Sequence, residues 1–401
     1  MIDTALHFHE LTFLDEGQHV LVGRSGGAGY AVLPHDGASL LEHMVSGASP
    51  ADAAAWYRRN YDELVDIDDF VATLDGLGFL REDGATASEE PEPVALQAFA
   101  RAFFSRAAFV CYTVIIAAWV ATIVRHPYLA PRPGHVFFTR YLVLVQLLVL
   151  FGQIPLLFLH EGFHVLAGRR LGLPSRVRLG RRMWIIVVET RMPDLLAVPR
   201  RKRYLPFLAG MLGDVLVVSL LGLIAYTLSG DGAVAHVIAA IALALAFPVC
   251  MRFAYQFLLF LQTDVYFVIT TALGCYDLHA ASRALLLNRL WRLLGRPERM
   301  QDQERWTPRD RAFAHWYAPL FAIGATVLLA LTVEAIFPVI KVCIDLTAAA
   351  VRSRSHGAHF WDAALFIAVT VVQFGLYLYL LLRNRNRGPA VDPAAELAPS
   401  I

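Results

Sequence analysis

The sequence predicts a multi-span α-helical membrane protein of about six spans, preceded by a small N-terminal α+β, winged-helix-like cytosolic domain. Three observations carry this expectation. Hydrophobic residues fill 57% of the 401 positions and charged residues only 17%, a balance unusual for a soluble chain. The apolar residues gather into runs of about 20, the length a helix needs to cross a hydrocarbon core. Basic residues are distributed very unevenly among the segments that join those runs.

The runs place spans near 107–124, 139–168, 204–228, 233–262, 312–340 and 360–382. Nothing before the first run resembles a secretory signal, so the first hundred residues are expected to stay in the cytoplasm. The positive-inside rule agrees with that orientation. Segment 169–203 carries Arg169, Arg170, Arg176, Arg178, Arg181, Arg182 and Arg191, then Arg200, Arg201, Lys202 and Arg203. Segment 273–311 carries eight more arginines, whereas the opposite side holds few cations: Arg125 and Arg132, then Lys341, Arg352 and Arg354. A net charge of only +1 conceals this asymmetry. Topology accounts for the arginines, so the lipid bilayer is the expected partner and nucleic acid is not. Cys111, Cys250, Cys275 and Cys343 are scattered and suggest neither a disulfide framework nor a cysteine metal site. No internal repeat links the two halves, which removes the main support for a transporter.

The chemistry is concentrated in His160-Glu161-Gly162-Phe163-His164. Histidines four apart lie one above the other on a helix, where both can reach one Zn²⁺ and the intervening glutamate can act on a metal-bound water. The run before it, 142–159, is apolar except for Gln146 and Gln153. Ionisable groups at the end of such a run are costly, which marks them as functional candidates. From Leu142 to His160 a helix would rise about 27 Å, placing the motif near the cytosolic edge of the bilayer. A catalytic zinc takes three protein ligands and leaves a position for water. Asp264, in the apolar segment 260–267, is the best candidate for the third; an interfacial carboxylate at a helix end is the alternative reading. The fourth span contains Pro248 and Arg252, so a kinked or broken passage facing the protein interior is expected. In the loop after the zinc helix, 177–179 and 183–188 read as a β-hairpin dipping into the interface with Trp184 as an anchor.

Three elements together resemble the site-2 protease family of intramembrane zinc metallopeptidases. They are the His160–His164 motif followed by Ala167, then Ala209-Gly210-Met211-Leu212-Gly213-Asp214, then Thr263-Asp264-Val265-Tyr266. The resemblance spans roughly residues 137–275. It implies one catalytic Zn²⁺ held by His160, His164 and Asp264, Glu161 as general base, and hairpin strands that hold an extended substrate. The chain departs from the family pattern at Met211, Asp214 and Val265, where the family usually has proline, asparagine and glycine.

Residues 1–82 read as strands at 11–13, 19–22 and 30–33, then helices at 38–44, 50–61 and 66–77, with Ser49 as a cap and an acidic cluster opening the last. Residues 83–100 form an acidic, proline-containing linker, the membrane domain follows at 101–388, and 389–401 is expected to be a disordered tail. The order of the N-terminal elements resembles the PqqD-like peptide-recognition fold, through Tyr30-Ala31-Val32-Leu33, Asp36-Gly37, Leu40-Leu41, Gly47, Tyr61, Asp68-Asp69-Phe70-Val71 and Leu77-Gly78-Phe79-Leu80. A generic winged-helix-like scaffold is the alternative. The resemblance implies that a leader peptide adds as a strand, with a groove near Tyr30, Val32, Phe70 and Leu74. Together the halves suggest an intramembrane zinc peptidase that cuts a leader-bearing, ribosomally made peptide, with peptide-modifying enzymes or an exporter as further partners. Cleavage of a membrane-anchored regulatory protein and a non-catalytic peptide-binding or export subunit are the competing functions.

Overall fold

The computed structural model describes residues 5–17, 19–24, 30–81, 94–230, 232–352 and 357–385. The expected tail 389–401 and most of the expected linker lie outside these residues.

The first strands, β1 (Leu11–Asp15), β2 (Val20–Arg24) and β3 (Tyr30–Leu33), form an antiparallel sheet in the order β1-β2-β3. Three helices follow: α1 (His35–Val45), α2 (Pro50–Tyr61) and α3 (Ile67–Gly76). Ser49 caps α2 by accepting from the Asp52 amide, and Asp66 caps α3 by accepting from the Asp69 amide, each satisfying an amide that the first turn leaves unpaired. A bridge between Phe8 and Leu80 closes the unit. One sheet face, with Val20, Val22, Ala31 and Leu33, packs on the helices through Leu41, Met44, Phe70 and Leu74.

Alternate residues of a strand point to opposite faces, so Leu21, Tyr30 and Val32 face the other way. There they pack on Leu196, Ala197 and Tyr276 of the membrane half. Polar contacts fix the docking. Glu16, just beyond β1, has a side chain only 6% exposed and accepts from Arg200 Nη2 at 2.6 Å, Arg203 Nη2 at 2.5 Å and the Tyr276 hydroxyl at 2.6 Å. The Tyr30 hydroxyl donates to Asp194 Oδ1 at 3.2 Å. The N-terminal unit is therefore seated on the membrane half rather than merely tethered to it. Residues 97–100, at the end of the expected linker, already belong to helix α4 (Gln97–Phe103).

Among the described residues, six helices are long and apolar enough to cross a membrane: α5 (Arg106–Arg125), α6 (Leu142–Arg170), α7 (Arg200–Thr227), α8 (Gly232–Tyr255), residues Pro308–Glu334 of α11 (Pro308–Arg352), and residues Ala358–Arg383 of α12 (Ala358–Arg385). This is an integral membrane protein by the length and composition of its helices. Half of the apolar window of α7 is buried inside the protein, against 6% in α5, α6 and α12, so α7 is the axis about which the others pack. Both polar side chains that interrupt α6 donate to neighbouring spans, while Gln146 Oε1 has no hydrogen-bond partner among the described residues. Gln146 donates to Thr370 and Gln373 of α12, and Gln153 donates to the Leu245 carbonyl of α8. In an apolar surrounding such groups need partners.

Two expectations shift. The fourth passage does break, but at residues 256–263 rather than at Pro248, which lies inside continuous α8. After α8 comes a 3₁₀ turn at Leu259–Leu261, a left-handed Gln262 with φ 52°, and then the short apolar helix α9 (Asp264–Leu273). Gln256 brackets the break: its carbonyl accepts from the Thr263 hydroxyl at 2.5 Å, and its side chain accepts from the Asp264 amide at 3.2 Å. The hairpin forms from β4 (Arg176–Arg182) and β5 (Ile185–Arg191), so Met183 and Trp184 are its turn, not strand residues. Met183 is left-handed with φ 53°, the conformation a two-residue hairpin turn demands. Trp184 is held between helices, its indole donating to Thr332 of α11 and its carbonyl accepting from Tyr377 of α12. Between α9 and α11, α10 (Leu278–Leu293) packs on α11.

The docking has a pH signature. Burial pushes the Glu16 carboxyl up, but the Tyr276 hydrogen bond and the Arg203 and Arg200 guanidiniums outweigh it and hold the group below its ordinary 4.5. A carboxylate lowered by its partners stabilises above the free value and loses that contribution as pH falls through the lowered one. Burial instead raises Asp194, an opposing effect that is common to wild type and a Glu16 variant and so cancels in their difference. Glu16→Gln should weaken docking by about 3 kcal/mol at neutral pH, read as faster hydrogen exchange at Leu195 and Val198. That deficit should be full above pH 4.5 and vanish in stronger acid.

Candidate metal centre

Three elements from distant parts of the chain supply the centre. α6 presents His160 and His164 one turn apart, both about 5% exposed or less. The break after α8 places Asp264 at the first position of α9, where its carboxylate turns to the two imidazoles. Asp264 Oδ2 lies 3.5 Å from His160 Nε2 and 3.2 Å from His164 Nε2, and the two Nε2 atoms are 3.2 Å apart. The sequence-expected ligands His160, His164 and Asp264 are thus brought together, with one ligand atom from each within 4.8 Å of the others.

Their far sides explain why the near sides face one another. His164 Nδ1 lies 2.7 Å from the Pro206 carbonyl oxygen of α7, an acceptor, so the proton belongs on Nδ1. His160 Nδ1 lies 3.0 Å from Asp214 Oδ2, also of α7. Each ring then offers an Nε2 lone pair to the same point, and Asp264 Oδ2 adds a third, being buried with no hydrogen-bond donor among the described residues. Three lone pairs meeting in a buried space repel unless a cation lies between them. Of the acids around the centre, Asp214 is paired with the Arg252 guanidinium, whereas the Asp264 carboxylate faces the two imidazoles.

Gly210 provides the room. A Cβ on this residue would run into His164 Nε2 and His160 Nε2, so only glycine lets α7 pass this close to the ligand atoms. The donor set, two imidazole nitrogens and one carboxylate oxygen, suits Zn²⁺ with an open fourth position.

Glu161 shares the turn with His160 and is 4% exposed. The Thr190 hydroxyl of β5 lies 2.7 Å from Glu161 Oε2 and 3.2 Å from its backbone carbonyl oxygen. The hairpin is braced toward the third ligand as well: Arg182 of β4 donates to Gln262 at 3.1 Å and to Glu189 of β5 at 3.2 Å.

The four residues expected to form a peptide groove are not brought together. Tyr30 and Val32 lie on the sheet face that docks on the membrane half, whereas Phe70 and Leu74 are buried in the core on the opposite face. Burial, then the Asp194 carboxylate, holds the Tyr30 phenol well above its ordinary value, so it serves as a neutral donor across the interface.

Thr190, Pro206, Gln256 and Gly210 contribute to the site without having been singled out as site residues. Thr190 carried no signal, because a threonine in a strand is ordinary. Asp214 and Arg252 carried one, as charges within apolar spans. Comparison with family models, curated proteins and solved structures finds no match to this chain.

Removing a ligand should empty the centre. Zinc content of the purified protein, measured by mass spectrometry, should fall from about one per chain to near zero in His164→Ala and Asp264→Ala. Gly210→Ala keeps all three ligands and should lose the metal equally, because its methyl occupies the space between them.

Proposed function

We propose that this chain is a membrane-embedded zinc metallopeptidase that hydrolyses a peptide bond near the cytosolic face of the cytoplasmic membrane. The observation that carries the reading is the convergence of two imidazole lone pairs and an unpartnered carboxylate oxygen on one buried point, with Glu161 in the same helical turn. Bound by His160, His164 and Asp264, zinc would supply Lewis acidity toward a carbonyl oxygen and toward water.

The chain's own groups do the rest. Glu161 takes the proton from the attacking water and passes it to the departing amine nitrogen as the C–N bond breaks. Thr190 donates to Glu161 Oε2, which holds the carboxylate in one rotamer and leaves Oε1 for the proton. His164 keeps its Nδ1 proton on the Pro206 carbonyl oxygen, so that ring does not compete for the water's proton, and the Asp214 carboxylate lies 3.0 Å from His160 Nδ1. A helical substrate would hide its carbonyls; the hairpin β4–β5, lying along α6 beside Glu161, offers backbone against which an extended segment can lie.

The substrate we propose is a leader-bearing, ribosomally made peptide. The N-terminal unit has the three-strand, three-helix order of a recognition domain, and β3 has only β2 as a strand neighbour among the described residues, leaving an edge for an added strand. That unit sits on the segment that follows β5 and on Tyr276, which follows α9, so a captured peptide starts close to the elements that carry Thr190 and Asp264. The same seating favours a second reading, in which the unit controls access to a membrane-anchored regulatory substrate: the face bearing Tyr30 and Val32 is occupied by the membrane half.

Glu161→Gln should retain zinc and lose peptide hydrolysis by at least 10³-fold, followed by mass spectrometry with a short precursor peptide and a single-span membrane peptide as substrates. Wild-type cleavage by Glu161→Gln would end the proposal. Thr190→Val should keep zinc and lower kcat about ten-fold, with Thr190→Ser restoring it. Preference for the precursor over the single-span peptide selects the first substrate class, and the reverse selects the second.

A further inference from the structure

Asp214 and Arg252 form a charge pair between two membrane helices, and they are arranged around His160. Asp214 is 1% exposed. Its Oδ1 accepts from Arg252 Nη2 at 2.5 Å and Nε at 3.1 Å, while its Oδ2 faces His160 Nδ1 at 3.0 Å. Arg252 Nη2 also donates to the Leu156 carbonyl at 3.2 Å. That carbonyl stands four residues before His160, where the His160 amide finds its helical acceptor. The contacts close a loop through three spans: α6 at Leu156, α8 at Arg252, α7 at Asp214, and α6 again at His160.

A pair that served only to join helices would not need this loop. A guanidinium placed in an apolar span is costly and so is its carboxylate, and apolar residues of similar volume would pack the spans at least as well. What apolar residues cannot do is accept a proton from His160 Nδ1. Asp214 alone could, but a lone buried carboxylate would be left uncompensated and free to turn away. Arg252 neutralises it and reaches both oxygens, Oδ1 from Nη2 and Nε and Oδ2 from Nε at 3.3 Å, with Oδ2 also facing the imidazole.

We propose that Asp214 and Arg252 act as one positioning unit that holds the His160 ring in the Nδ1–H form and aims Nε2 at the metal. The inference rests on the metal-centre reading above. Neither residue touches substrate or metal; the pair acts through His160, and the zinc affinity of the centre depends on both members together. Partners of metal-bound histidines of this kind contribute about 10- to 100-fold in affinity.

The test uses the full-length protein in nanodiscs, titrated with Zn²⁺ and with Co²⁺, together with ¹⁵N spectra of the histidine side chains. Asp214→Asn leaves Arg252 without a counter-charge and risks misfolding, so the decisive variant is Asp214→Leu with Arg252→Met, which removes both charges. It should fold with unchanged thermal stability, bind Zn²⁺ 10- to 100-fold more weakly, lose the single Nδ1–H signature of His160 and show an altered Co²⁺ spectrum. Arg252→Met alone should weaken Zn²⁺ binding in the same direction. Wild-type Zn²⁺ affinity and an unchanged His160 spectrum in the double variant would overturn the positioning unit while leaving the metal centre intact. Wild-type protein that binds Zn²⁺ no better than His164→Ala would overturn the centre and the unit together.

Discussion

The close passage of α7 beneath the two histidines of α6 is the contact on which the rest of the structure depends. A side chain at Gly210 would displace the ligand atoms, and helix axes normally stand about 8–10 Å apart. With no side chain there, α7 can deliver two oxygens to the far sides of the rings, the Pro206 carbonyl and the Asp214 carboxylate. Those oxygens orient the imidazoles; the imidazoles define the point that Asp264 faces; and the bracket formed by Gln256 places Asp264 there. Glu161 follows His160 in the same turn, and its Oε2 accepts from Thr190 of the hairpin.

How much of this was legible in the sequence depends on how local the cause is. The six spans are a property of composition over about 20 residues and were readable at most ends to within about four positions, although the expected fourth and fifth spans, 233–262 and 312–340, ran past Tyr255 and Glu334. The His160–Glu161–His164 arrangement follows from helical spacing alone. Asp264 stood out as a carboxylate in an apolar segment, but its approach to the histidines requires the left-handed turn at Gln262, and glutamine is not a residue that announces such a turn. Pro248 suggested a break in the fourth passage, yet α8 runs through it, and the chain turns where Gln256 can satisfy the freed backbone groups instead. The hairpin turn was misplaced because Met183 and Trp184 are apolar. Their apolarity answers to α11 and α12 rather than to strand pairing. Thr190 and Pro206 could not have been found, since their roles exist only through tertiary contact.

The N-terminal unit gives a similar lesson about faces. Its strands and helices were legible from capping residues and alternation. The side on which each strand residue falls was legible too: Tyr30 and Val32 share one face of β3, and Ala31 and Leu33 the other. What alternation could not supply was the partner of the outer face. Leu196, Ala197 and Tyr276 lie more than 160 residues away in sequence, in loops whose composition reads as ordinary cytosolic connection.

The seat of Glu16 bears on how this chain can vary between related proteins. Two guanidiniums and a phenol close on one carboxylate at the end of β1. Replacing the first eighty residues with an equivalent domain lacking an acid at that point would strand Arg200 and Arg203 at the head of α7, the helix that also packs against His160 and His164. The two halves are thus poor candidates for shuffling, and variation in the N-terminal unit would have to arise within it rather than by exchanging it.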